Sequence, residues 1–444
     1  MRYGVIGAGV LGMTATLRLL ERGHEVTILE AGDGVGGLAG SFEVEPGIWL
    51  EKFYHHIFRS DRHITALIEE VGLGPSLRWH QPVTTMLSGG KVEPFDTPAA
   101  VLRFSGLPVI DRVRLGAGVA ILKAMPRSGP LEDVSARRWL TRVMGANAYR
   151  VVWEPLLRGK FGAAADDVSM AWLWARIHDR TQQLGYLDGG FHQLYTRLAA
   201  RIAERGGRLI TGFRAAAIEP RGSEITVAGA DGRAETFDRV ISTMPAHLTL
   251  AITRDARVSD APPGPRPPDA LGAHCLILSL DRPLTGTYWI GVADPGPPFL
   301  AVVEHTAMLP PAAYGGRHLV YFGNYVPHDD RLFDETPDET LARYVPAIRG
   351  LNPAFDPSWV GDRWSFGARF AQPIVTPGFR RRIPPFETPV PNLFIASMFQ
   401  VFPHDRGQNY SIELADRLVR RLEPDASAAA AAPSTPATPA APAA

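Results

Sequence analysis

Cysteine is all but missing from this chain: Cys275 is the only one in 444 residues. An intramolecular disulfide, dithiol redox chemistry and a multi-thiolate metal site are therefore excluded. Lysine is nearly as scarce, with Lys52, Lys91, Lys123 and Lys160 set against a Lys+Arg total of 46. Any anion site must then be built mainly from guanidinium groups, which suit bidentate contacts. Charge of one sign is not in excess either, since Asp+Glu also number 46 and the formal net charge is zero. That balance removes any strong pull toward nucleic acid or an acidic membrane. No apolar run approaches the roughly 18 residues of a membrane span. The nearest candidate, Leu115–Met125, is interrupted by Gly116, Gly118 and Lys123, so a peripheral membrane contact through residues 101–125 is the most it allows. The apolar run from Tyr3 is broken by glycines, and Glu21, Arg22 and Glu30 follow closely. This is not the pattern of a secretory leader, and a cytoplasmic location is expected. His55 and His56 are adjacent, without zinc-site spacing, so no metal site is expected. Neither a Gly-x-Ser-x-Gly elbow nor a Walker A loop occurs.

What is present is an ordinary globular composition, 45% hydrophobic and 21% charged, long enough for two domains. Residues 1–30 read as strand, glycine turn, helix and strand, followed by a glycine-rich loop from Gly32 to Gly40. Residues 62–72, 171–180 and 191–205 read as helices, and 101–144 as a helical stretch broken at Pro108, Pro126 and Pro130. Short strands over 208–242 suggest a β-meander. Residues 255–270 read as a Pro/Gly-rich connector, 271–345 as β-rich, and the segment up to Pro391 as Pro-rich. A strand at 393–397 and a helix at 409–422 follow. The Ala/Pro-rich tail from Asp425 lacks core-forming residues and reads as disordered.

The first motif is Gly7-Ala8-Gly9-Val10-Leu11-Gly12, between a strand and a helix. Gly7 permits the tight turn, Gly9 lets backbone approach a pyrophosphate, and Gly12 lets the helix pack against the sheet. The helix start offers free N–H groups to phosphates. Glu30 ends the next strand, where a carboxylate accepts from an adenosine ribose and repels a 2′-phosphate. The Gly36-Gly37 doublet then supplies a second stretch of exposed backbone donors.

Glu30-Ala31, Gly36-Gly37 and Ser41 together resemble the flavin-containing amine oxidase superfamily, which includes protoporphyrinogen oxidase and phytoene desaturases. Tyr186–Phe191, the strand Phe237–Pro245, Asn392–Ser397 and Asp405–Ser411 match the same pattern. One departure is that Val35 and Leu38 replace the arginines usually found beside the doublet. The resemblance implies an α/β fold: a discontinuous Rossmann-type FAD-binding domain (1–85, 186–250 and 385–424) with a β-meander. A mixed α+β substrate domain (86–185 and 251–384) completes it. The implied cofactor is non-covalent FAD, contacted by Gly7, Ala8, Gly9, Val10, Leu11, Gly12, Glu30, Ala31, Gly36, Gly37 and Leu38. Ala215 at the adenine and Arg406, Gln408, Asn409 and Tyr410 at the C-terminal motif complete the set.

Candidates for catalysis are His55 and His56, near where relatives approach the flavin, with only one of the two expected to act. His274 stands where amine-oxidising relatives carry a lysine. Arg380-Arg381-Arg382 is a cationic cluster able to hold a carboxylate or diphosphate. Trp172, Trp174, Tyr288, Trp289, Tyr321 and Tyr325 are candidate pocket aromatics. The implied function is an FAD-dependent oxidoreductase taking a hydride from a C–H or C–N bond of a small molecule, anionic as one option. His55-His56-Ile57-Phe58 also resembles UDP-galactopyranose mutase, which leaves a redox-neutral mutase open. A non-catalytic flavin-binding protein is the third reading.

Overall fold

The computed structural model describes residues 1–259 and 269–424. The tail from Asp425 and most of the proline-rich connector lie outside the described residues. Strands and helices are numbered here in chain order among those named.

Five parallel strands form the first sheet, in the spatial order β5 (Arg208–Ile210), β2 (Glu25–Leu29), β1 (Arg2–Ile6), β6 (Arg239–Ser242) and β12 (Leu393–Ile395). Runs such as Val-Thr-Ile-Leu suit strands covered on both faces. A three-stranded antiparallel meander, Ala215–Arg221, Glu224–Gly229 and Ala234–Phe237, is inserted before β6. Helix α1 (Val10–Leu20) follows β1 directly. A Cβ added at Gly12 would overlap the carbonyl oxygen of Gly7 and come within 3.3 Å of Val5 Cγ1. Glycine there is a packing requirement.

The second sheet has seven strands, in the order β11 (Val360–Pro373), β7 (Ala270–Leu280), β10 (His318–Val326), β9 (Ala301–Glu304), β8 (Trp289–Val292), β3 (Thr84–Ser88) and β4 (Lys91–Pro94). It is antiparallel except where β8 meets β3. Thr84–Ser88 spans the expected boundary at 85/86 and joins this sheet as a unit. One face of β7, with Cys275 and Ile277, packs into the same core as α1. The other, with Leu276 and Leu278, packs against Tyr344 and Ile348 of α6 (Pro337–Leu351). Neither element was expected: most of α6 falls in the stretch read as β-rich, and the 14-residue strand β11 falls in the Pro-rich segment. Pro337 sits in the first turn, where its missing N–H costs nothing, and Thr336 with Glu339 forms a capping box.

Further helices position the site, among them α2 (Arg62–Glu70), α3 (Val109–Ala124), α4 (Met170–Asp179), α5 (His192–Glu204) and α7 (Gln408–Leu422). Helix α3 buries Leu115, Gly118 and Leu122 and exposes Val109, Ile110, Val113 and Ile121. No described helix is long and apolar enough to cross a membrane. Helix α7 packs along α1. Arg18 ties them together, reaching Glu70 of α2 at 2.7 Å and Asp416 of α7 at 3.1 Å.

Candidate functional site

The N-terminal motif and its expected partners meet. The Gly36 N–H donates to the carbonyl of Ala8 at 2.9 Å, and Gly9 and Gly36 form a parallel bridge. Gly36 and Gly37 both hold positive φ, at 107° and 57°, which turns the loop across Gly9. The Glu30 carboxylate accepts from Ala8 N at 2.6 Å and Gly32 N at 2.8 Å. Phe213 N donates to the Glu30 carbonyl at 2.7 Å, which brings the meander strand starting at Ala215 to the same edge. Val10 and Leu11 are buried side chains, so only their backbone can face a ligand. Ala31 is exposed and Leu38 half-buried beside the doublet.

Helix α1 starts at Gly9 and α7 at Gly407, both without a side-chain cap. Two helix starts packed side by side thus present unpaired first-turn N–H groups and two positive dipole ends. An elongated ligand with a diphosphate fits this cradle: backbone can approach closely at Gly9, and Glu30 stands at its far end.

The side chains of the C-terminal motif are engaged within the protein. Gln408 accepts from the Tyr195 hydroxyl of α5. Asn409 accepts from His63 N at 2.8 Å and Ile64 N at 3.2 Å, capping α2. Tyr410 donates to Asp179 at 2.9 Å and stacks on His404. All three side chains fasten α7 to its neighbours, leaving their backbone amides as the groups that face outward.

His55 and His56 do enter the interior. His55 Nδ1 lies 2.7 Å from the Phe53 carbonyl, and His56 Nδ1 lies 3.1 Å from the Tyr288 hydroxyl. Burial lowers His55 to about 4 and His56 to about 3, with further lowering of His56 by Arg180. Both rings are therefore neutral at pH 7. The folded values lie below the unfolded ones, so the stability they contribute is complete above about pH 6.5 and lost as pH falls toward 4. Unfolding free energies from urea titration should drop between pH 7.5 and 5, by about 1–2 kcal/mol per ring. Replacing both by Asn or Gln should flatten that slope.

His274 is a correction. Strand alternation puts it with Leu276 and Leu278 on the α6 side, its ring 6.3 Å from Phe333. Tyr54 and Tyr321 share the opposite face with Cys275. The triple arginine is a second correction. Arg380 is bidentate to Glu132 at 2.8 and 2.7 Å, Arg381 pairs with Asp133 at 2.9 Å, and Arg382 bonds Thr376. These guanidinium groups are spent on local pairs.

The cations that do converge are Lys160, Arg176, Arg180 and Arg406. Asp405 lies among them, accepting from Arg176, from Lys160 at 3.3 Å, from Trp172 Nε1 at 3.0 Å and from Gln372 at 3.4 Å. Burial pushes the Asp405 carboxyl up, but Lys160 and Arg176 outweigh it and hold it well below the ordinary range. Lys160 itself is buried, and burial lowers its ammonium. Arg406 donates to the Tyr325 hydroxyl at 2.8 Å. Burial would raise that phenol, yet Arg406 and Lys160 together hold it below its ordinary value. Tyr54, which Tyr325 also influences, moves the other way through burial. Sequence reading missed Lys160, Arg176 and Arg180. One signal was available: Trp172, Arg176 and Arg180 recur every four residues, hence on one helical face. Among the described residues no group of three or more His, Cys, Asp or Glu side chains could hold a metal.

A family model described as flavin containing amine oxidoreductase matches residues 12–403. A candidate flavin-containing monoamine oxidase, AofH, of Mycobacterium tuberculosis H37Rv is 27% identical over 264 residues, 55% of this chain and 57% of that protein. The aligned part of the chain thus spans little more than half that relative's length. A candidate protoporphyrinogen oxidase from Exiguobacterium aligns with a TM-score of 0.73 at 18% identity, covering 95% of this chain and 98% of that one. Reduced UDP-galactopyranose mutase aligns with a TM-score of 0.69 at 16% identity, covering 95% and 93%. At such identities these two likenesses are of fold.

Proposed function

From the premise that this chain belongs to the flavin containing amine oxidoreductase family, we propose that it is an oxidoreductase holding FAD non-covalently and dehydrogenating a small molecule. The observation that carries this reading is the juxtaposition of three backbone donor sites: the start of α1, the Gly36-Gly37 turn and the start of α7. Bound FAD supplies the redox step, accepting a hydride from a C–H or C–N bond.

The chain's own residues have narrower tasks. Backbone amides near Gly9 and Gly37 bind diphosphate oxygens, and Glu30 exchanges Ala8 N–H for ribose hydroxyls. Neutral His55 and His56 orient hydrogen bonds and make poor acids at pH 7. Tyr325, with its proton loosened by Arg406 and Lys160, is the better-placed group to give or take one at its hydroxyl oxygen.

Purified protein is expected to show flavin absorbance bands, with FAD released in full by acid or heat. A colourless protein that binds NAD instead would overturn the assignment. A mutase acting on a sugar nucleotide is favoured in turn by the four-cation cluster. It would require pre-reduced flavin and consume no electron acceptor, whereas the dehydrogenase bleaches its flavin with substrate and needs an acceptor to turn over again. Flavin that no donor reduces, in a protein without turnover, would leave a binding role alone.

A further inference from the structure

We propose that Arg180 and Arg406, backed by Arg176 and Lys160, bind an oxyanion of the substrate, a carboxylate or a phosphate. This deepens the oxidoreductase reading, on which it rests, and separates the chain from enzymes that take cationic amines.

Among the described residues Asp405 is the one carboxylate in contact with the group, and it is taken up by Lys160 and Arg176. Asp96 acts on Arg180 only at longer range, and Asp179 is engaged by His404, His178 and Tyr410. Among the described residues two of the guanidinium groups form no ion pair, and Asp405 and Asp96 act on Arg406 and Arg180 only without direct contact. The Arg180 guanidinium lies over the Phe58 ring at 6.0 Å and has no ion pair or hydrogen bond among the described residues. Arg406 bonds only the Tyr325 hydroxyl, and its Nε is buried without any partner. A buried guanidinium N–H without a partner, as at Arg406 Nε, is costly, and a bound oxyanion would satisfy it.

Geometry adds to this. Arg176 and Arg180 are four residues apart on α4 and its cap, so they lie on one face, and both bear on the His56 ring. Arg180 is accessible to solvent even though protein surrounds it closely enough for burial to lower its guanidinium. Its guanidinium is therefore within reach of a ligand from solvent and is not packed into the core. Lys160 and Arg406 lie over the same Tyr325 ring, at 4.8 and 5.7 Å. His55, His56, Tyr54, Tyr288 and Tyr325 supply polar and aromatic walls to the same region. Planar guanidinium forks match oxyanions bidentately, and an ammonium substrate would be repelled by the same excess of charge.

The test is calorimetric titration of the flavin-loaded protein with inorganic pyrophosphate, succinate and butane-1,4-diamine. Saturable one-to-one binding of one anion, with none of the diamine, is expected; pyrophosphate would identify a phosphate and succinate a carboxylate. Arg180→Gln should weaken that binding by about tenfold or more, with flavin content unchanged. Arg180→Lys should retain part of it, and Arg380→Gln all of it. Failure of both anions to bind, tighter binding of the diamine, or wild-type affinity in Arg180→Gln would each overturn the proposal. If Arg180→Gln does not fold, the wild-type comparison of anions with diamine decides. Flavin content is measured separately, so a flavin-loaded protein indifferent to anions sinks only this inference, and a flavin-free one sinks the parent reading.

Discussion

Replacing Gly12 by valine is expected to leave a protein that retains no flavin and is destabilised by about 3–5 kcal/mol or more, if it folds at all. The reason is local and steric. The new Cβ would overlap the Gly7 carbonyl oxygen, a backbone atom in the β1–α1 turn that has no rotamer with which to move away. The turn must open or α1 must lift from β1. Either change moves the Gly9 amides and breaks the bridge between Gly9 and Gly36, so the two donor loops no longer share a ligand. Gly34 in the same glycine-rich stretch is the control. A Cβ there meets nothing within 4 Å, so Gly34→Ala should keep its flavin and its urea midpoint. A Gly12→Val protein with a full complement of flavin would show that the helix start does not hold the cofactor.

The second large effect is expected at Asp405. Asp405→Ala removes the carboxylate that neutralises Lys160 and Arg176 and also orphans the Trp172 N–H. Breaking one side of a buried ion network costs about 3–5 kcal/mol, because the remaining charge stays buried without compensation. The pH dependence gives the mechanism. Lys160 already lies below its ordinary value through burial, with Asp405 opposing that shift. Without Asp405 the folded value falls further, and the unfolded chain then binds more protons than the folded one. Stability of the variant should therefore rise with pH between 7 and 10, more steeply than in the wild type. Asp405→Asn, which keeps an acceptor for Trp172 but no charge, should show the same slope with a smaller loss. Adding Lys160→Met to it should remove the slope. Equal slopes in wild type and Asp405→Ala would mean that Lys160 does not depend on this carboxylate.

How much of this was legible in the chain depends on the range of the interaction. The glycine motif, Glu30 and the doublet act over short loops, and the structure brings them together as their spacing implies. The helix at 408–422 and the meander were equally visible, since periodicity of 3.6 or 2 is a local property. The longest strand, Val360–Pro373, was not. It is half exposed along most of its length, so its pattern carried no apolar run. Helix α6 was missed because most of it fell in the stretch read as β-rich and the rest in the Pro-rich segment, although Pro337 occupies the first turn and Pro346 is accommodated inside the helix. Gln408, Asn409 and Tyr410 were expected at the cofactor through the helix start on which they stand. That their side chains fasten α7 to α5, α2 and Asp179 only the packing could reveal.

The clearest contrast concerns arginine. Three consecutive residues, 380–382, drew attention as a cationic site, yet each meets a nearby partner on the outside of the fold. The site that does concentrate charge draws on residues 160, 176, 180, 405 and 406, from three separate stretches of chain. The sequence by itself determined the dinucleotide-type turn, the family and the shortage of lysine that makes guanidinium the main anion binder. Only the tertiary structure decided which guanidinium groups of this cluster form no ion pair among the described residues. Electrostatic compensation depends on distances across the fold, and neighbours in sequence do not set those distances.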